Sequence, residues 1–130
     1  MRCLSIRQPW ATLIVTGYKD VENRTWRTSY RGPLLIHATR TPDLAARTHG
    51  LLTRGDIAGL PCGGIIGAVM LDDCVTTAAS QWFEGPFGWL LSQPTLCRFR
   101  PCRGQLRLWN LVEEEEGAGG SDVRRLLPSG

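Results

Sequence analysis

The pattern of apolar and polar positions predicts a chain of short strands. Residues 2–6 (RCLSI) alternate polar and apolar side chains, the period of a half-buried strand. Residues 33–38 (PLLIHA) predict a buried strand after a turn, and the β-branched segment 63–77 predicts the clearest one. Its glycines at 63, 64 and 67 suggest a bulge or a close approach of two backbones. Further extended segments are predicted at 20–26, 87–92, 96–100 and 105–112.

Two segments have helical character. In residues 9–16, Trp10, Leu13 and Ile14 have the i, i+3, i+4 spacing of one helix face. Gly17 follows at the position of a left-handed C-cap.

The second helical segment is residues 41–59. Thr41 is its predicted N-cap, with Pro42 in the first helical position, and Gly50 interrupts it. Five to seven sequential strands with two short helical segments favour an α+β fold, a small and mainly antiparallel β-barrel with peripheral helices. At 130 residues the chain is predicted to form one domain over residues 1–112. Residues 113–130 form an acidic, glycine-rich tail that we expect to be flexible.

The charge is unevenly distributed. Residues 1–112 carry thirteen basic and seven acidic side chains, whereas residues 113–130 carry five acids and two arginines. A basic body is compatible with a polyanionic partner such as nucleic acid. Of the fifteen basic residues fourteen are Arg, and Lys19 is the single Lys.

Several classes of protein are disfavoured. The apolar stretches are much shorter than the roughly 18 residues that a membrane span requires. Residues 1–10 lack the features of a signal peptide, so we expect a cytoplasmic protein. The five cysteines form no CxxC pair, so we expect free thiols, no metal and no cofactor. We also expect a monomer.

Three blocks of sequence carry a family resemblance: LSIRQPWA (4–11), GYKDVENR (17–24) and RGPLLIHA (31–38). They resemble the ASCH domain, whose Gly-x-Lys-x-x-Glu-x-Arg motif is matched by Gly17, Lys19, Glu22 and Arg24. Segments GIIGAVMLDDC, PFGWLL and GQLRLWNL are similar to the second half of the family. The resemblance covers about residues 3–112.

The resemblance implies a PUA-like barrel, a superfamily whose members bind RNA, with the motif lining a cleft beside the first helix. The leading hypothesis is therefore a module that binds RNA, a nucleoside or a nucleotide in that cleft. One alternative is a hydrolase acting on acetylcytidine-type nucleosides or a ribonuclease, since such activities occur among ASCH-like proteins. Another is a regulatory protein-interaction domain that uses its acidic tail as a tether.

Lys19 and Glu22 are the candidate catalytic residues if the protein is an enzyme. A Lys retained in an Arg-rich chain indicates a use for the amine, as a phosphate contact or as a general base. The structural alternative is a solvated Lys after a helix C-cap. In the amidohydrolase branch of the family a Thr nucleophile stands three residues after the Lys. Here that position is Glu22, which argues against that mechanism.

Glu22 and Arg24 are two residues apart, so on a strand they point to the same side. An ion pair of Glu22 with Arg24 or Lys19 would fix the amine, and Glu22 could also accept a hydrogen bond from a base. The structural alternative is a salt bridge that holds the turn. Arg24 would contact phosphate or a base carbonyl.

The remaining ligand-binding candidates are Gln8, Trp26 and Arg31. Gln8 at a helix start could contact a base edge, whereas Trp10 beside it is expected in the core. Trp26, with Tyr30 and Trp89, is a candidate for base stacking, and Arg31 extends the basic edge together with Arg27. His37 is expected to be a satisfied core residue and His49 a surface residue. Asp72 and Asp73 end a strand, where one could face the cleft.

Overall fold

The computed structural model describes residues 1–111, which form six strands and two short helices. In chain order these are β1 (Arg2–Ile6), α1 (Trp10–Val15), β2 (Val21–Arg24), β3 (Gly32–Ala38), α2 (Arg54–Ala58), β4 (Gly64–Val75), β5 (Phe87–Pro101) and β6 (Leu108–Asn110). The predicted flexible tail at 113–130 lies outside the described residues, as does position 112, the predicted end of the domain.

All six strands belong to one sheet in the order β2-β5-β4-β3-β1-β6. Strands β1 and β3 pair in parallel, and the connection between them in the chain contains α1 and β2. The other four pairings are antiparallel. The sheet curls into a half-barrel with the two helices at its periphery, which confirms the predicted α+β fold with a small, mainly antiparallel barrel.

The long hairpin of β4 and β5 produces much of the curvature. Its register shifts at three places, and bulges of this kind bend and twist the strands that carry them. Gly64 is required here, since a Cβ at that position would lie 2.5 Å from the Arg100 carbonyl oxygen. The predicted close approach is therefore confirmed at Gly64 and also at Gly67, where a Cβ would clash with the Thr95 carbonyl oxygen, but not at Gly63, which has open space. Strand β5 is one continuous strand, although two were predicted at 87–92 and 96–100.

The core lies between the concave face of the sheet and α1. Ile14 of the helix packs in one cluster with Leu34, Ile36 and Trp89, all of which are almost completely buried. Burial of such side chains contributes roughly 1.5–3 kcal/mol each. The apolar helix face predicted from Trp10, Leu13 and Ile14 is thus the face that closes the half-barrel.

The predicted helical segment at 41–59 is mostly wrong. Only Arg54–Ala58 is helical, and its N-cap is Thr53 rather than Thr41. Thr53 and Asp56 form a reciprocal capping box, and the two hydrogen bonds from Thr53 lower the pKa of the Asp56 carboxyl. The preceding loop is held by tertiary hydrogen bonds instead, such as the one from the Asp43 amide to the Gln8 carbonyl (2.7 Å).

Within residues 1–111 no helix is long and apolar enough to cross a membrane. The same residues contain no group of three His, Cys, Asp or Glu side chains placed to hold a metal ion. All five cysteines are free thiols. Burial raises the pKa of the Cys3 thiol to about 12 and that of Cys97 to about 11.

Candidate functional site

The turn after α1 places Lys19 inside the protein. Gly17 adopts a left-handed backbone (φ +90°), as predicted for the C-cap. The amides of Tyr18 and Lys19 then both donate to the Leu13 carbonyl, at 3.0 and 2.9 Å. The chain therefore reverses sharply, and Lys19 is only 6% exposed. The alternative of a solvated lysine is wrong.

Lys19, Glu22 and Arg24 form one network of charges. The Lys19 ammonium donates to the Val21 carbonyl and lies 3.4 Å from Glu22 Oε1. The other carboxylate oxygen of Glu22 accepts a hydrogen bond from Arg24 Nε (3.0 Å) and lies 2.9 Å from Arg24 Nη2. Both ion pairs considered from the sequence are therefore present. The carboxylate is almost fully buried and shared between two cations, which leaves the network one positive charge in excess.

Arg24 also joins two strands that are not neighbours in the sheet. Its Nη2 donates to the Ser5 carbonyl of β1 at 2.9 Å, although β2 is the first strand in the sheet order and β1 the fifth. The curl of the sheet brings β2 towards β1, and the guanidinium spans the seam between them. The motif residues thus lie where the half-barrel comes closest to closing.

Three adjoining cavities surround this seam. The aromatic cavity (about 220 Å³) is lined by Trp10, Trp82 and His49, with Lys19 and Glu22 at one side. The middle cavity (about 430 Å³) is lined by Glu22, Arg24 and Trp26 among others. The arginine cavity (about 520 Å³) is lined by Arg24, Arg40, Arg103 and Arg107. The middle cavity shares Glu22 with the first and Arg24 with the last, so the three adjoin one another, and we call them together the cleft.

The aromatic cavity has balanced charges and flat apolar surfaces. Trp82 contacts Trp10 edge to face at a centroid distance of 6.4 Å and His49 at 4.5 Å. Lys19 Nζ lies 5.8 Å from the centre of the Trp10 ring. Trp10 is thus only partly a core residue as predicted, since it also lines two cavities. Such surfaces suit a planar ring.

The three predicted stacking candidates have different environments. Trp26 is half-buried at the middle cavity, with its ring edge to face with Trp89 at 4.8 Å. Trp89 is completely buried, so the prediction that it stacks on a ligand is wrong. The Tyr30 hydroxyl donates to the Pro33 carbonyl at 2.5 Å, and burial raises the pKa of this hydroxyl. Tyr30 lines none of the three cavities.

Two other predicted site residues have structural partners instead. The Gln8 amide is fully buried, donates to the Pro61 carbonyl (2.8 Å) and accepts from the Thr12 amide (2.9 Å). Arg31 pairs with Asp73 (3.3 Å). Neither lines any of the three cavities, so the structure does not bring them to the cleft. Asp72 and Asp73 are both exposed, and neither faces these cavities.

The sequence did not identify the arginine cavity. Arg40 follows β3, whereas Arg103 and Arg107 lie between β5 and β6, and only the sheet order brings these segments together. A basic turn at 103–107 was the available signal. His37 lines the same cavity. It is a buried residue as predicted, but only its Nε2 is hydrogen-bonded, to the Cys102 carbonyl at 2.8 Å.

Comparison with known protein families identifies the family to which the chain belongs. The model of the ASCH domain matches residues 4–95. The chain is 35% identical to human activating signal cointegrator 1 and 34% identical to the mouse protein, in matches that cover 84% of this chain. The chain therefore belongs to the ASCH domain family. The match spans only 22% of the length of each of those relatives.

Solved structures with the same fold are ASCH from Zymomonas mobilis and a mutant of it in which one tyrosine is replaced by phenylalanine. The mutant superimposes with a TM-score of 0.58 at 18% identity, covering 92% of this chain and 94% of that one. The unmutated protein gives 0.57 at 18% identity, covering 98% and 95%. At this identity the similarity concerns the fold.

Proposed function

We propose that the protein binds RNA or another nucleotide-containing ligand along the cleft formed by the three cavities. The observation that carries this proposal is the position of the Lys19–Glu22–Arg24 network in the wall of a cleft that combines surplus positive charge with tryptophan faces. Nucleic-acid ligands present phosphate charge and flat bases side by side, which such a cleft complements.

Each member of the network has a distinct role in this proposal. Glu22 holds both cations, and its own oxygens are occupied by them. Arg24, the most exposed of the three with 22% of its side chain accessible, presents its outer edge to a phosphate or base carbonyl. Lys19 supplies a compact charge beneath Trp10, where the larger guanidinium of an arginine would not fit without displacing the carboxylate.

The same contacts favour binding over hydrolysis. The Lys19 amine donates to the Val21 carbonyl and to Glu22 Oε1, so in this geometry it is held as a hydrogen-bond donor. Each oxygen of the Glu22 carboxylate contacts one of the two cations. A nucleoside hydrolase or ribonuclease would need one of these groups released.

The test is a tryptophan-fluorescence titration of the full chain with a single-stranded RNA of about ten nucleotides, at low and moderate salt. We expect Lys19→Arg, which keeps the charge, to weaken binding by about tenfold, equivalent to about 1.4 kcal/mol. Arg54→Gln is the matched control, because Arg54 is an exposed residue of α2 outside the three cavities. It should bind as the wild type does.

Two results would contradict the proposal. Equal affinity of the wild type and Lys19→Arg would show that binding does not depend on the Lys19 amine, which contradicts the role proposed for the network. Product release from acetylcytidine or from the RNA, abolished by Lys19→Ala in a folded protein, would instead identify an enzyme.

A further inference from the structure

The arginine cavity differs in charge from the rest of the cleft. Four guanidinium groups line it, from Arg24, Arg40, Arg103 and Arg107, and no acidic side chain of residues 1–111 is in its wall. Clustered like charges repel one another unless an anion lies between them. A cavity of about 520 Å³ is also within the usual size range for small-ligand sites.

The guanidinium groups differ in how far the protein already uses them. Arg24 is committed to Glu22 and to the Ser5 carbonyl. Arg107 lies over the Trp26 ring at 4.1 Å, which positions the group while leaving its N–H donors free. Arg40 and Arg103 make no ion pair or side-chain hydrogen bond with any residue in 1–111. Three guanidinium groups therefore keep donors for a ligand.

The inner wall of the cavity contains polar atoms that also lack partners. His37 is 2% exposed, and its Nδ1 has no hydrogen-bond partner in the described part of the chain. Since the Cys102 carbonyl can only accept, Nε2 of the neutral ring carries the proton and Nδ1 is an acceptor. Thr39 Oγ1, in the same wall, is likewise buried without a partner among residues 1–111. Buried polar atoms without partners are uncommon, and these two lie directly beneath the surface of the cavity.

We propose that the arginine cavity binds the terminal nucleotide of the ligand through a phosphate monoester. Arg40, Arg103 and Arg107 hold the phosphate oxygens. This inference rests on the proposed function and adds to it the place of the phosphorylated end of the ligand. The phosphorylated end lies in the arginine cavity, and the adjoining bases extend past Trp26 towards the aromatic cavity.

A terminal phosphate fits this cavity better than an internal phosphodiester does. A monoester carries about −1.5 to −2 charges at pH 7 and three acceptor oxygens, whereas a diester carries a single charge. Guanidinium groups bind such oxygens in pairs, and three of them have donors to spare here. An aspartate or glutamate of an acidic peptide offers one negative charge and two acceptor oxygens, fewer than a monoester does.

The experiment compares one ten-nucleotide RNA in three forms: with a 5′ phosphate, with a 3′ phosphate and with neither. Each is titrated into the wild-type full chain, the double variant Arg40→Gln/Arg103→Gln and the control Arg54→Gln. We expect one of the phosphorylated forms to bind the wild type about tenfold more tightly than the unphosphorylated RNA. This preference should disappear in the double variant and persist in Arg54→Gln.

The possible failures are distinguishable. If all three RNAs bind the wild type equally and Lys19→Arg weakens them all, the proposed function stands and the terminal-phosphate inference is overturned. A preference that survives in the double variant overturns it too. If no RNA binds at low salt, both proposals fail, and an acidic peptide that binds the wild type but not the double variant would identify a different ligand class.

Discussion

The Lys19–Glu22–Arg24 network and the arginine cavity adjoin each other and both consist mainly of basic side chains, yet they differ in how far those charges are compensated. In the network, a buried carboxylate at 7% exposure is shared by two cations within 3.4 Å. In the cavity, four guanidinium groups share one space, and none of residues 1–111 supplies an acidic side chain to its wall. Arg24 belongs to both.

This difference separates the charged side chains that stabilise the fold from those that remain available to a ligand. Charges that are buried and paired are sensitive to the removal of a partner, because the remaining charge stays in a poorly solvated place. Charges that face an open cavity are solvated and contribute little to folding, so their removal affects binding. We therefore expect mutations in the network to change stability as well as affinity, and those in the cavity to change affinity with little effect on stability.

The largest effect is expected for Glu22→Gln. The substitution leaves Lys19 and Arg24 next to each other without the carboxylate, so the free energy of unfolding should fall by about 3 kcal/mol. Urea denaturation followed by tryptophan fluorescence measures it. Arg103→Gln is the comparison in the cavity and should change stability by less than about 0.5 kcal/mol. Equal decreases in both variants would mean that the two regions do not differ.

Arg24→Lys should have an intermediate effect. A lysine keeps the charge, but its compact ammonium cannot contact both Glu22 and the Ser5 carbonyl as the planar guanidinium does. We expect the free energy of unfolding to fall by about 1–2 kcal/mol, about one charged hydrogen bond. Amide hydrogen exchange at β2 should increase as the seam loosens. Unchanged exchange would show that Arg24 does not hold β2 to β1.

The salt dependence of RNA binding should differ between variants in the cavity and variants in the network, an effect smaller than the changes in stability. Each phosphate of a single strand that the protein no longer neutralises lowers the slope of log K against log salt by about 0.7. Arg40→Gln/Arg103→Gln should therefore reduce the slope by about 0.7, since both arginines hold the same terminal phosphate. Lys19→Gln should weaken binding with almost no change in slope, since Lys19 is paired with Glu22. The titrations need several salt concentrations, and equal slopes in both variants would contradict this assignment.

The smallest effect is expected from pH. Guanidinium groups stay charged far above neutrality, and a phosphate monoester is already mostly a dianion at pH 7. Burial raises the pKa of the neighbouring Cys102 thiol and that of Cys3, the latter to about 12, so these thiols stay mostly neutral between pH 7 and about pH 9. Affinity for the phosphorylated RNA should then change by less than about twofold over this range. A steep fall would indicate a titrating group in the contact.

Local chemistry explains why most elements were predictable. The alternation in residues 2–6, the apolar spacing around Leu13 and the left-handed Gly17 each depend on a few consecutive side chains. The segment 41–59 failed for the opposite reason. Its composition favours a helix, but tertiary hydrogen bonds such as the one between Asp43 and Gln8 hold most of it as a loop.

The candidate site was predicted only in part, because some of its contacts are local in the chain and others are not. Lys19, Glu22 and Arg24 lie within six residues, so their spacing on a turn and a strand already indicated that they could meet. The buried position of Gln8 depends on the Pro61 carbonyl, 53 residues away. The placement of Arg31 beside Asp73 depends on a partner 42 residues away. Contacts at that separation follow from the sheet and have no local signal.

The sequence by itself determined the strands, the first helix, the family motif and the surplus of arginine. Only the tertiary structure decided which of those arginines act together. Arg40 and Arg103 are 63 positions apart in the chain. They line one cavity because the antiparallel pairings place Ala38 opposite Gly64 and Gly64 opposite Pro101, which brings the end of β3 and the segment after β5 to the same edge of the sheet. Hydrophobic periodicity is a property of neighbouring residues, whereas a charged cavity is a property of the sheet order and its curl.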